Sequence, residues 1–151
     1  MESHQVSVVI NRPIEEVFEN ATCLRSCVRW MTTMTAADKV TEGNVGVGTM
    51  YQHKAKFMGI NVDTYPTIRK YDPPKELVFG DPNSIVPYEV AFTFTPVEGG
   101  TRFDVTLESG SKGLINGIAR PILNKAFTRQ MQSDMDTLKE LLEGGVRVKI
   151  D

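Results

Sequence analysis

Polar and apolar residues alternate most cleanly in "VPYEVAFTFTP" (86–96). Tyr88, Val90, Phe92 and Phe94 share one face there, and Glu89, Ala91, Thr93 and Thr95 the other. "VEGGTRFDVTLES" (97–109) returns through a Gly-Gly turn, with Thr101, Phe103, Val105 and Leu107 on one side and Arg102, Asp104, Thr106 and Glu108 on the other. A period of two with one wet face predicts an antiparallel sheet. Earlier strands are predicted at 4–11, 46–59, 60–72 and 76–80. Pro66 inside 60–72 indicates an edge or a bulge, and "DPPKE" (72–76) is turn chemistry.

Helical spacing appears in three places. "RPIEE" (12–16) opens a short helix, with Pro13 suited to its first turn and Ile14, Val17, Phe18 and Ala21 on one face. A second short helix is predicted over 24–30, ending near Trp30. The third and longest covers 114–143. Pro121 must either kink it or mark its true start, and Gly144-Gly145 stops it. Leu123, Phe127, Met131, Leu138, Leu141 and Leu142 gather on its near side, with Met135 at the edge. Asp134 falls inside that apolar arc. The final "VRVKID" alternates, which fits either pairing with a sheet edge or disorder.

The predicted order is one strand, two short helices, about six further antiparallel strands and a long helix. This is an α+β architecture with about seven strands. A single helix laid across a curved sheet cannot fill a wide concave face, so an internal space is expected between them.

Composition changes the picture little. A chain of 151 residues is most simply one domain, residues 1–151, able to bury a real core. Its net charge of −2 offers no field to draw it to nucleic acid. No apolar run approaches the roughly 18 residues of a membrane span. The start "MESHQVSVVI" lacks signal-peptide blocks, so a cytoplasmic location is the default expectation. Cys23 and Cys27 have no nearby His and make no zinc site; they are either two half-buried thiols or a redox or reactive pair. No metal or cofactor is expected.

The candidate chemistry is sparse. No Gly-x-Ser-x-Gly elbow or HExxH motif is present, and "GNVGVG" (43–48) precedes a strand rather than the helix a nucleotide loop needs. In "TMYQHKAKF" the alternation puts Tyr51, His53, Ala55 and Phe57 opposite Lys54 and Lys56, so His53 points inward. There it either meets a ligand or proton, or hydrogen-bonds a core partner. Asp134 has three explanations. It faces a cavity, it bonds to a neighbour such as the Trp30 indole, Arg25 or a backbone N–H, or the helix rotates it into solvent. Buried without partners it would cost several kcal/mol. Met131 and Met135 are either plain core or a pliable pocket wall.

Several stretches together resemble the START/Bet v 1-like (SRPBCC) superfamily, in its bacterial polyketide cyclase/dehydrase-like branch. "VVINRPIEEVFE" (8–19) looks like that family's opening strand and first helix. Trp30 sits where its second short helix usually carries a Trp. "YDPPKELVF" (71–79), "FTFTPVEGGTRFDVTLE" (92–108) and "MDTLKELLE" (135–143) look like two of its hairpins and its closing helix. Cys23 departs from the acidic residue many members carry before the second helix. The resemblance implies a helix-grip fold, a curved antiparallel sheet around a long C-terminal helix, and a hydrophobic cavity. It implies no particular reaction.

Three functions fit this reading. The first is a module binding a small hydrophobic ligand, whether lipid, polyketide-like or aromatic. Its expected contacts are Trp30, Tyr51, His53, Phe57, Phe79, Tyr88, Phe92, Phe127, Met131, Asp134 and Met135. The second is a cyclase or dehydratase using His53 or Asp134 as acid and base, with Tyr51 or Tyr88 orienting an enolate oxygen. The third is a protein-interaction module with a residual cavity. Homodimerisation stays open.

Overall fold

The computed structural model describes residues 2–84, 87–109, 114–115 and 117–150. The chain begins with β1 (Glu2–Ile10), helix α1 (Ile14–Ala21), a 3-10 turn (Leu24–Arg29) and β2 (Met34–Lys39). Strands β3 (Tyr51–Phe57), β4 (Ile60–Thr64), β5 (Thr67–Asp72) and β6 (Glu76–Asp81) follow. Then come β7 (Tyr88–Val97), β8 (Gly100–Ser109), the two-residue strands β9 (Leu114–Ile115) and β10 (Ile118–Ala119), and helix α2 (Arg120–Glu143).

Strands β1-β8-β7-β6-β5 form one antiparallel sheet and β2-β3-β4 another. The two are stitched where Met50 bridges Thr67. Beside that bridge, Tyr51 N–H donates to the Pro66 carbonyl at 2.9 Å and Ile68 N–H to that of Thr49 at 2.8 Å. Residues 60–72 thus pair back along 48–57 as one bent strand. It breaks at Pro66, which has no N–H to give. Counted this way, the sheet has the seven strand positions expected. Strand β2 was not anticipated. Its sequence, MTAADK, contains no β-branched apolar residue, and none of its residues is fully buried.

The alternation in β7 and β8 becomes the core. Val90, Phe92, Phe94, Thr101, Phe103, Val105 and Leu107 are all buried. Phe94 stacks on Phe103 at 4.8 Å, and Phe92 meets Phe103 edge-on at 5.1 Å, both geometries that add to simple burial. The hairpin between them needs both glycines. Gly99 has φ +85 and Gly100 φ +146, and a Cβ on Gly100 would collide with the Ile10 carbonyl oxygen.

α1 buries Val17, Phe18 and Ala21 and carries Glu15 and Glu16 in its first turn, as the spacing predicts. α2 starts at Arg120 with Pro121 in its first turn, so the proline marks the helix start rather than a kink. The expected helix over 114–119 is therefore corrected. Leu114–Ile115 and Ile118–Ala119 pair as strands around Gly117, whose φ is +81. Residue 116 lies outside the described residues. Gly144 and Gly145 end α2 in a Schellman motif, with Gly145 N–H on Leu142 O and Val146 N–H on Leu141 O, at 3.0 and 2.9 Å.

Two clasps close the structure. Arg12, just after β1, donates from Nε to Leu142 O and from a terminal nitrogen to Glu143 O, both at 2.9 Å, satisfying carbonyls at the α2 terminus. Residues 146–150 are neither disordered nor on a sheet edge. They lie extended against α1 and the 3-10 turn, with Val148 buried. Val148 and Lys149 N–H donate to Asn20 Oδ1, and Ile150 N–H to Ser26 Oγ.

Candidate ligand cavity

A cavity of about 270 Å³ lies between the buried face of the sheet and α2. Phe79, Val90, Phe92, Val105 and Leu107 form its floor. β3 and β4 add His53, Ala55, Phe57, Ile60, Val62 and Thr64 as one wall. α2 supplies Leu123, Phe127, Gln130, Met131 and Asp134, while Cys27 comes from the 3-10 turn, Met31 from the segment after it and Met34 from the start of β2. The sheet side follows directly from alternation, since inward residues at i and i+2 face one hollow.

Asp134 is 2% exposed, which excludes rotation into solvent. The other two explanations combine, because its side chain lines the cavity and is also hydrogen-bonded. Oδ1 accepts from Thr32 N–H at 3.2 Å, Thr32 Oγ1 at 3.3 Å and Gln130 Nε2 at 2.9 Å. Gln130 Nε2 also donates to Thr32 Oγ1 at 2.7 Å. Of the anticipated partners, a backbone N–H is found, that of Thr32. The Trp30 indole N–H has no acceptor among the described residues. Burial raises the Asp134 carboxyl pKa, and the bonds from Gln130 and Thr32 oppose it.

His53 points inward, as its strand alternation predicts, and is held by the core. Nε2 lies 3.1 Å from the Leu24 carbonyl oxygen. A carbonyl only accepts, so the proton sits on Nε2 and Nδ1 carries the lone pair. Burial lowers the imidazole pKa to about 4, so the ring is neutral near pH 7. The Tyr88 hydroxyl is 3.0 Å from Thr64 Oγ1, and burial pushes its phenol up to about 12. The Cys27 thiol, also on the wall, is pushed up by burial.

Eight of the eleven expected contact residues therefore line this one hollow: His53, Phe57, Phe79, Tyr88, Phe92, Phe127, Met131 and Asp134. Trp30, Tyr51 and Met135 do not. Each is buried in the core behind the wall, Trp30 against Phe92 and Phe103, and Tyr51 beside His53. Alternation and helical spacing assign a face, but not the depth at which packing ends and the hollow begins. Sequence reasoning missed Ile60 and Val62, although "INVDT" alternates well enough to have placed them. It also missed Leu123 and Gln130 as wall residues, although both lie on the near side of α2. Among the described residues, no hydrogen bond joins any two of His53, Asp134, Tyr51 and Tyr88. No cluster of three His, Cys, Asp or Glu side chains among them could hold a metal ion.

A family profile described as "Polyketide cyclase / dehydrase and lipid transport" matches residues 1–143. The chain belongs to this family. Solved structures similar to this member extend the finding to the fold. A protein of Thermus thermophilus superposes with a TM-score of 0.81 at 21% identity, covering 95% of this chain and 99% of that one. Ara h 8.0201 gives 0.71 at 15%, covering 95% and 98%. A START superfamily protein from Mycobacterium smegmatis gives 0.70 at 14%, covering 95% and 96%. These likenesses establish the helix-grip fold expected from the motifs. No curated protein matches the sequence. No described helix of this polyketide cyclase/dehydrase and lipid transport family member is long and apolar enough to cross a membrane.

Proposed function

We propose that this chain binds a compact, mainly apolar small molecule in the hollow between the sheet and α2. The observation that carries the reading is the wall itself. Aromatic, aliphatic and methionine side chains dominate it, with a few polar groups already held in place by neighbours. That composition typifies small-molecule sites. Size narrows the class. A dry cavity of roughly 150 Å³ takes benzene, so one of about 270 Å³ suits a molecule of about two fused rings or a medium acyl chain. Met31, Met34 and Met131 on the wall are soft enough to adjust to variants of shape.

The cyclase or dehydratase reading needs His53, Asp134 and a tyrosine within reach of one another. Each is instead tied to a separate partner, so we propose no reaction. Native mass spectrometry of the purified protein with a panel of bicyclic aromatics and medium-chain lipids tests the binding reading. Stoichiometric one-to-one adducts are expected, and they should weaken when Val90→Trp fills the floor. Failure of every panel member to bind would refute it.

A further inference from the structure

Among the described residues, Asp134 is the one Asp, Glu, Lys or Arg on the cavity wall. We propose that Asp134 selects compact apolar ligands bearing a neutral hydroxyl, whose hydrogen bond it accepts on Oδ2, and that it turns free acids away. The inference rests on the hollow being a ligand site.

The carboxylate is half used. An ionised carboxylate offers about four acceptor positions. The donors from Thr32 and Gln130 all converge on Oδ1. Oδ2 receives no hydrogen bond among the described residues. Asp134 is 2% exposed and its side chain borders the hollow. With every donor on Oδ1, Oδ2 is the acceptor left for a ligand in this mostly apolar hollow. A buried acceptor left without a donor is costly, and a ligand hydroxyl can remove that cost.

The other polar groups decide against an acid. No lysine or arginine among the described residues lines the hollow to meet a ligand carboxylate. His53 cannot serve, because its N–H is committed to Leu24 and burial keeps the ring neutral. The Tyr88 hydroxyl is engaged with Thr64, and the Gln130 amide with Thr32 and Asp134. An anionic headgroup would thus face a like charge, opposed only by neutral groups such as Thr33, Ser84, Ser109 and Asn124. A cationic amine would lose a large hydration shell for one contact with a carboxylate already hydrogen-bonded by Thr32 and Gln130. A neutral hydroxyl gives up the least water.

The test uses probes that share one skeleton: naphthalene, 2-naphthol, 2-methoxynaphthalene, 2-naphthoate and 2-naphthylmethylammonium. Their affinities for the wild-type protein are measured near neutral pH by calorimetry or ligand-observed NMR. 2-Naphthol should bind roughly tenfold or more tighter than 2-methoxynaphthalene, the ratio a charge-assisted hydrogen bond supports. 2-Naphthoate should bind weakest. In Asp134→Asn the amide oxygen keeps the Thr32 and Gln130 donors and an N–H replaces Oδ2. The preference for 2-naphthol over the methyl ether should then collapse to within about threefold. Equal binding of naphthol and ether by the wild type, or tightest binding by the naphthoate or the ammonium probe, overturns the role of Asp134 and leaves the cavity reading intact. Silence from all five probes, naphthalene included, removes the cavity reading and this inference with it. Should Asp134→Asn fail to fold, the wild-type ranking alone decides.

Discussion

Asn20 Oδ1 accepts the backbone N–H of Val148 at 2.8 Å, across 128 residues of sequence. The same oxygen takes the Lys149 N–H at 3.0 Å, while Asn20 Nδ2 is anchored on the Glu16 carbonyl. One buried side chain thereby pins residues 146–150 to α1. Asn20→Ala should release them and expose Val148, costing about 1–3 kcal/mol in urea unfolding. Trypsin should also cut at Arg147 and Lys149 sooner than in the wild type. An unchanged unfolding midpoint with unchanged cleavage would contradict the pin.

His53 makes stability depend on pH. Its folded pKa of about 4 lies below the ordinary value of 6.5, so the unfolded state binds the proton more readily. Stability is fully present above the unfolded value and falls as pH drops from there toward 4. Between pH 7 and pH 5 the loss should be about 2 kcal/mol. Asp134 acts in the opposite sense. Its raised pKa adds stability as pH falls, beginning above the usual carboxylate range. His53→Gln should flatten the slope between pH 7 and pH 5. A slope of wild-type size in that variant would assign it to other groups.

The two thiols should separate in a labelling experiment. Cys27 is fully buried with its pKa raised by burial, and Cys23 is half-buried. The thiolate is the reactive form. A disulfide reagent near pH 8 should therefore label one thiol per native chain quickly and two in denaturant. Because Cys27 borders the hollow, any slow second phase should lengthen when an apolar ligand is added. Equal fast rates for both thiols would be incompatible with this packing.

Gly100→Ala should be among the most damaging single-methyl additions. Positive φ for a residue with a side chain costs of order 1–3 kcal/mol, and here the added Cβ also meets the Ile10 carbonyl and comes within 2.8 Å of Asn11 Cα. Gly43→Ala, whose Cβ would meet nothing within 4 Å, isolates the conformational part. Calorimetric melting should show the first variant losing clearly more stability than the second. Equal losses would mean that the β1–β8 contact yields easily.

Much of this fold is legible in side-chain periodicity. β7 and β8 announce themselves because one face is apolar and buried and the other mostly polar, although Asp104 on the polar face is buried in bonds from Ser7 and Arg102, and His53 points inward because Lys54 and Lys56 need water. Asp134 stands out because a carboxylate interrupts an apolar arc. Other features carry no such signal. β2 buries neither face fully, so no alternation marks it. The extended segment 146–150 is held by Asn20 and Ser26, whose roles arise only after distant parts of the chain meet. Trp30, Tyr51 and Met135 face the interior correctly, but packing depth separates core from wall, and period does not encode depth.

The pairing of β1 with β8 matches Glu2 to Ser109 and Ile10 to Thr101. Translation delivers these partners in the wrong order for easy assembly. For the time it takes to make some ninety intervening residues, Val6, Val8 and Ile10 have no sheet to join. Long-range pairing of this kind slows acquisition of the native state. It also leaves a β-prone apolar segment available to other nascent chains, so yield in a crowded cell should respond to holdase chaperones that shield the emerging strand.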